Sequence, residues 1–132
     1  MSERALSIPV RPAGAGRVDK PWGYELRWAV TDRYVGKLIH VAAGHALSLQ
    51  YHVQKDEAIL VLRGELDLVL DDDDGELATH RMAEGMSARI RPGRRHRFVA
   101  VTDVDLLEVS SPEIDDVVRL SDRYGRAGTA ET

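Results

Sequence analysis

The sequence has no cysteine, which excludes disulfides and thiolate-ligated metal sites. No apolar h-region opens the N-terminus, and no apolar run approaches the length of a membrane span. A cytoplasmic protein with no membrane partner is therefore expected. Positive charge is also short: 18 Lys and Arg against 22 Asp and Glu give a net charge of -4. Nucleic acid is not an expected partner on that balance. Internal repeats are absent, and low complexity is confined to Asp71–Asp74. What is there is 132 residues with 43% hydrophobic content, the size of one domain with a real core.

Short apolar runs and closely spaced turns fill the chain. Residues 1 to 18 carry Pro9, Pro12, Gly14 and Gly16 and read as a flexible arm, in which alternating Leu6, Ile8 and Val10 could add a strand to a partner's sheet edge. Leu26, Trp28 and Val30 alternate as in a strand. Tyr34 to Val41, Leu47 to Val53, Ala58 to Leu62 and Glu65 to Leu70 follow the same pattern. So do Glu76 to Met82, Ser87 to Arg91, His96 to Val101 and Val104 to Ser110. Asp116 to Leu120 is a short last strand or helical turn. Residues 19 to 126 form one domain, and 127 to 132 read as frayed. Eight to ten strands, turns every 8 to 12 residues and no long helix imply an all-β antiparallel sandwich or barrel. Asp71–Asp74 with Gly75 makes a hairpin tip, because the spacing of a calcium loop is missing.

The stretch from Gly44 to Gly64 carries the chemistry. Gln50 and His52 are two apart and share one face of an extended strand. Glu57 has the opposite parity, so a turn through Gln54-Lys55-Asp56 must bring it round. His96, after the turn Arg91-Pro92-Gly93, is the fourth candidate. Two imidazoles, a carboxylate and an amide oxygen make a mixed N/O donor set that suits Zn, Mn, Fe, Co or Ni. His40 and His45 lie outside that spacing.

Arg89, Arg91, Arg94, Arg95 and Arg97 crowd around His96 in an otherwise acidic chain. They either hold a phosphate by charge-assisted hydrogen bonds or protect a solvated edge strand. Phe98 shares the parity of His96 and should line the cavity wall beside it. Trp22 and Tyr24 read as packing residues. Lys55 either faces the ion or is a solvated turn lysine.

The order Gly44, Gln50, His52, Glu57, Gly64 resembles the first cupin motif, with Gln in place of its first His. Gly85, Pro92-Gly93 and His96 resemble the second. Within cupins the sequence is similar to the cupin domain of type II mannose-6-phosphate isomerases, the C-terminal part of bifunctional enzymes that also carry a guanylyltransferase. Lys20-Pro21-Trp22-Gly23-Tyr24-Glu25, Leu47 through His52, and Asp115 through Arg126 carry that likeness. It implies a double-stranded β-helix, or jelly-roll, barrel. It implies Gln50, His52, Glu57 and His96 as ligands of a divalent cation, zinc first. And it implies an aldose–ketose isomerase of a phosphorylated or nucleotide-linked sugar, with a homodimer as the assembly. Lys55, His45 or a hydroxide on the ion would serve as base, and Arg89, Arg91, Arg94, Arg95 and Phe98 would contact substrate. The sequence departs from the isomerase pattern at Gln54, Lys55, Ala58 and Ile59, next to the ligands. A non-catalytic sugar- or metabolite-binding cupin, an epimerase and a dioxygenase are the alternatives, the last disfavoured because Gln50 removes an imidazole.

Overall fold

The computed structural model describes residues 10–129. Alternating Leu6 and Ile8 lie outside that range. Twelve strands run in chain order: β1 Arg17–Lys20, β2 Gly23–Val30, β3 Val35–Val41, β4 Leu49–Tyr51, β5 Glu57–Arg63, β6 Leu66–Asp71, β7 Leu77–Met82, β8 Ser87–Ile90, β9 His96–Ala100, β10 Val104–Ser110, β11 Val118–Ser121 and β12 Gly128–Thr129. They form two six-stranded sheets, β1-β2-β3-β10-β5-β8 and β12-β11-β4-β9-β6-β7, in which the named pairs are antiparallel. No helix occurs among the described residues. This is the expected all-β jelly-roll barrel. β1 begins inside the stretch read as an arm, and β12 lies in the stretch read as frayed.

The inner faces of the sheets meet in one apolar core, with Ile59, Val61, Leu106 and Ile39 from the first sheet facing Leu66, Leu68, Phe98 and Ala100 from the second. Each such side chain, fully buried, contributes roughly 1.5–3 kcal/mol. Gly64 shapes the β5–β6 turn that closes this core. Its φ is +85°, and a Cβ there would lie 2.1 Å from the Asp103 carbonyl oxygen, so only glycine fits.

At one end of the barrel the pattern inverts. The alternation Leu26, Trp28, Val30 on β2 faces outward, and Trp28 is 53% exposed. Glu25 and Arg27 on the same strand point inward and are buried, as is Lys37 on β3. Arg27 Nε sits 2.7 Å from Glu25 Oε1 and Lys37 Nζ 3.3 Å from the same oxygen. Buried charge is tolerated here because each group meets an opposite one. The polar interior marks where a site can be.

Candidate metal centre

His52, Glu57 and His96 converge in this interior. One donor atom from each lies within 4.8 Å of the others, and all three residues are buried. Gln50 on β4 pairs in register with His96 on β9, and it lines the same cavity. Parity along a single strand would place Glu57 opposite His52. The chain instead crosses between them, from β4 in the second sheet to β5 in the first. Glu57 therefore faces the histidines from across the barrel.

Hydrogen bonds fix both imidazoles. His52 Nδ1 faces the main-chain carbonyl of Asp116, and His96 Nδ1 faces that of Arg94 at 2.9 Å. A carbonyl only accepts, so each Nδ1 carries the proton and each Nε2 keeps its lone pair. Those Nε2 atoms are buried without a hydrogen bond, at 3.2 Å and 3.7 Å from the two Glu57 oxygens. Gln50 Oε1 is held by the Ser48 hydroxyl at 2.6 Å. Two unprotonated imidazole nitrogens, a carboxylate and an amide oxygen fit a divalent cation, and carbonyl-anchored imidazoles are the usual support of such a ligand set.

Lys55 is buried between Glu57, 3.0 Å from its Nζ, and Glu108 at 3.3 Å. Burial pulls the Lys55 ammonium down, but the charges of Glu108 and Glu57 outweigh it and push its pKa up. Burial works against the Glu57 carboxylate as well, yet the neighbouring Lys55 ammonium holds it well below the usual range. Glu108 is pushed up by burial and by the Glu57 charge. Lys55 is thus a fixed cation that neutralises the two carboxylates.

The segment from Ser111 to Arg126 roofs the cavity with Ile114, Val117, Arg119 and Arg126. Asp116 joins it to His52 and the segment that follows. Its carboxylate accepts from the backbone N–H groups of Val53 at 2.9 Å, Gln54 at 2.7 Å and Lys55 at 2.9 Å. Sequence reasoning assigned Asp116 no role. The available signal was Asp116 standing just before a strand, where a short acidic side chain caps a turn.

The other expected contacts divide. Lys55 and Phe98 line the cavity of about 70 Å3. His45 does not line it, and its Nδ1 lies 2.6 Å from the Tyr124 hydroxyl. The arginines around His96 turn away. Arg89 Nη2 bonds Asp56 at 2.6 Å. Arg94 bonds the Asp72 carbonyl at 2.8 Å and Asp73 at 2.9 Å, and Arg95 bonds Asp71 at 2.6 Å. Arg91 joins Arg89 and Arg94 around a separate surface depression with Asp71 and Asp73. The acidic β6–β7 tip, adjacent in space to the turn before β9, draws Arg94 and Arg95 outward, and Asp56 draws Arg89. The cations on the cavity are Lys20, Arg27, Lys37, Lys55, Arg119 and Arg126. They are scattered from residue 20 to residue 126, so no local run betrayed them. Among the described residues, Lys20 and Arg119 make no ion pair, and Arg119 Nε is buried without a hydrogen bond.

A family model described as "Cupin domain" matches residues 37–110. The chain is 36% identical over 114 residues to the mannose-1-phosphate guanylyltransferase of Escherichia coli K12, covering 83% of this chain and 23% of that protein. It is 33% identical over 119 residues to the alginate biosynthesis protein AlgA of Pseudomonas aeruginosa, covering 86% and 23%. The chain thus spans about a quarter of the length of these curated relatives. Among solved structures, KdgF from Halomonas sp. superposes with a TM-score of 0.67 at 19% identity, over 75% of this chain and 89% of that one. An oxalate decarboxylase variant of Bacillus subtilis gives 0.70 at 14% identity, over 82% and 31%.

Proposed function

The chain belongs to the cupin family, and we propose that it holds a divalent cation on His52, Glu57, His96 and Gln50 and acts on a phosphorylated sugar as an aldose–ketose isomerase. The observation that carries the reading is the pair of buried, unbonded Nε2 atoms facing Glu57 beneath a cationic cavity. An ion bound there would supply Lewis acidity toward the carbonyl and neighbouring hydroxyl oxygens of the sugar.

The chain's own residues supply the rest. Six cationic side chains line the cavity against three carboxylates, an excess that favours an anionic ligand. Lys20 and Arg119, without ion-pair partners, are the groups that take the phosphate. Lys55 stays protonated and stabilises negative charge developing on the sugar oxygens. Glu108, the cavity carboxylate pushed up by burial, takes the proton from the carbon beside the carbonyl and returns it to its neighbour. Phe98 and Trp22 supply apolar wall. Likeness to a mannose-1-phosphate guanylyltransferase and to an alginate biosynthesis protein supports a sugar phosphate as the substrate class. We place the protein in the cytoplasm and infer a homodimer, the dimer being supported by the exposed apolar residues Trp28, Leu60, Leu62 and Val109 on the first sheet.

Incubation of the zinc-loaded protein with mannose 6-phosphate in deuterated water tests the activity. Deuterium entering the carbon next to the carbonyl supports it. Phosphosugar binding without exchange would leave a binding protein, and no preference for the phosphosugar over mannose would reject the substrate class.

A further inference from the structure

Asp116 lies at the junction of three structures that the chain brings from far apart. Its carboxylate accepts the N–H groups of Val53, Gln54 and Lys55, the three residues after His52. Its main-chain oxygen accepts from His52 Nδ1. And it leads into β11, where Val118 pairs with Tyr51 and Arg119 with Gln50. We propose that Asp116 is a positioning residue that makes the cavity roof and the metal ligands one cooperative unit, so that filling the ion site locks the roof and a locked roof strengthens the ion site. This inference rests on the metal reading above.

The physical argument runs through His52. Its ring can present Nε2 to an ion only while a fixed acceptor holds Nδ1–H on the other side. That acceptor belongs to the roof, 64 positions away in sequence. No side-chain substitution removes a main-chain carbonyl, but its position depends on the carboxylate clamp on Val53, Gln54 and Lys55. The clamp also fixes the crossing that delivers Lys55 and Glu57 from one sheet to the other. Further fastenings hold the roof on the same side: Ser111 N–H to the Asp56 carbonyl at 3.0 Å, Ser111 Oγ accepting Asp56 N–H at 2.9 Å, and Arg97 to the Ser121 carbonyl at 2.9 Å. Whatever orders His52 therefore orders the roof that carries Arg119. By linkage the two effects are equal in free energy.

The test uses the full chain with zinc as the probe. Hydrogen exchange of the wild type is followed without and with zinc, and zinc affinity is measured by competition with a chelator for wild type, Asp116→Asn and Asp71→Asn. The last removes a carboxylate that bonds Arg95 at the distant hairpin and serves as the structural control. Asn keeps the shape of Asp116 but cannot accept three N–H groups on a charged carboxylate. The expected result is slower exchange with zinc at Val53, Gln54, Lys55 and through residues 111–121. Asp116→Asn should bind zinc at least about tenfold more weakly, as for lost support of a ligand, and Asp71→Asn should bind as wild type does. Unchanged exchange across 111–121, or equal affinity in Asp116→Asn and wild type, overturns the proposal while leaving the metal site standing. Absence of zinc binding in wild type overturns both. Should Asp116→Asn fail to fold, the wild-type exchange comparison decides alone.

Discussion

The imidazoles of His52 and His96 lie with ring centroids 4.9 Å apart, tilted by 53°, and their Nε2 atoms lie 3.2 Å and 3.7 Å from the two oxygens of Glu57. His52 is anchored by the Asp116 carbonyl, 64 positions away, and His96 by the carbonyl of Arg94, two residues before it. The donor atoms are therefore set by the fold before any ion arrives, and this preorganisation underlies the expectations below.

Lys55 should be required for folding as well as chemistry. It is the cation between two buried carboxylates, Glu57 and Glu108. Lys55→Met leaves both negative charges without it, and breaking a buried pair from one side costs ~3–5 kcal/mol. Urea unfolding of the metal-free protein should show a loss of that order. A stability equal to wild type would mean that the carboxylates are neutral in the fold.

Arg119 should matter to phosphosugar binding, and the Arg94, Arg95 pair should not. Arg119→Ala removes a cavity cation with no ion-pair partner, at a cost of ~1–3 kcal/mol in mannose 6-phosphate affinity. The Arg94→Ala, Arg95→Ala double variant loses bonds to the β6–β7 tip and should bind the phosphosugar as wild type does. Calorimetric titration of both variants separates the two sets of arginines.

These two sets also mark what the sequence could disclose. The convergence of His52, Glu57 and His96 beside Gln50 was legible because these residues fall at spacings that turns and strand parity render meaningful. The strands themselves were legible in outline, because apolar alternation and Gly or Pro turns recur along the chain. The cations of the cavity were not. Lys20 on β1 and Arg119 on β11 reach one cavity from two different sheets, whereas Arg94 and Arg95 stand beside His96 and turn away. β2 misled in the same manner: its apolar face points out because Glu25 and Arg27 pair within the barrel. The Asp116 clamp was hidden because its partners are backbone groups, which leave no residue signature.

Acid should weaken the hairpin tip through Asp71. Hydrogen bonds from Arg95 hold this carboxyl below the usual range, and partial burial, which acts the other way, does not offset them. A depressed folded-state value stabilises the fold above the unfolded carboxylate pKa of about 3.9, and that contribution is lost as pH falls through the folded value. Asp71→Asn should therefore melt below wild type at neutral pH, and the two curves should converge as pH drops below about 4. Thermal melts across that range check the sign.

Gly64→Ala should destabilise without touching the ligands. The added Cβ meets the Asp103 carbonyl at 2.1 Å and keeps a φ of +85°, so the β5–β6 turn must shift. A loss of at least ~1–3 kcal/mol is expected, read by urea unfolding. A variant as stable as wild type would mean that this turn relaxes freely.

The central claim is that His52, Glu57, His96 and Gln50 hold a divalent cation, and an equilibrium zinc titration of the metal-stripped wild type, His52→Ala and Gln50→Ala tests it directly. Wild type should take up a single ion. His52→Ala should lose it, because an anchored imidazole is removed, and Gln50→Ala should retain it with weaker affinity, because an amide oxygen is the weakest donor of the four. Equal binding by wild type and His52→Ala, or no binding by wild type, would contradict the account.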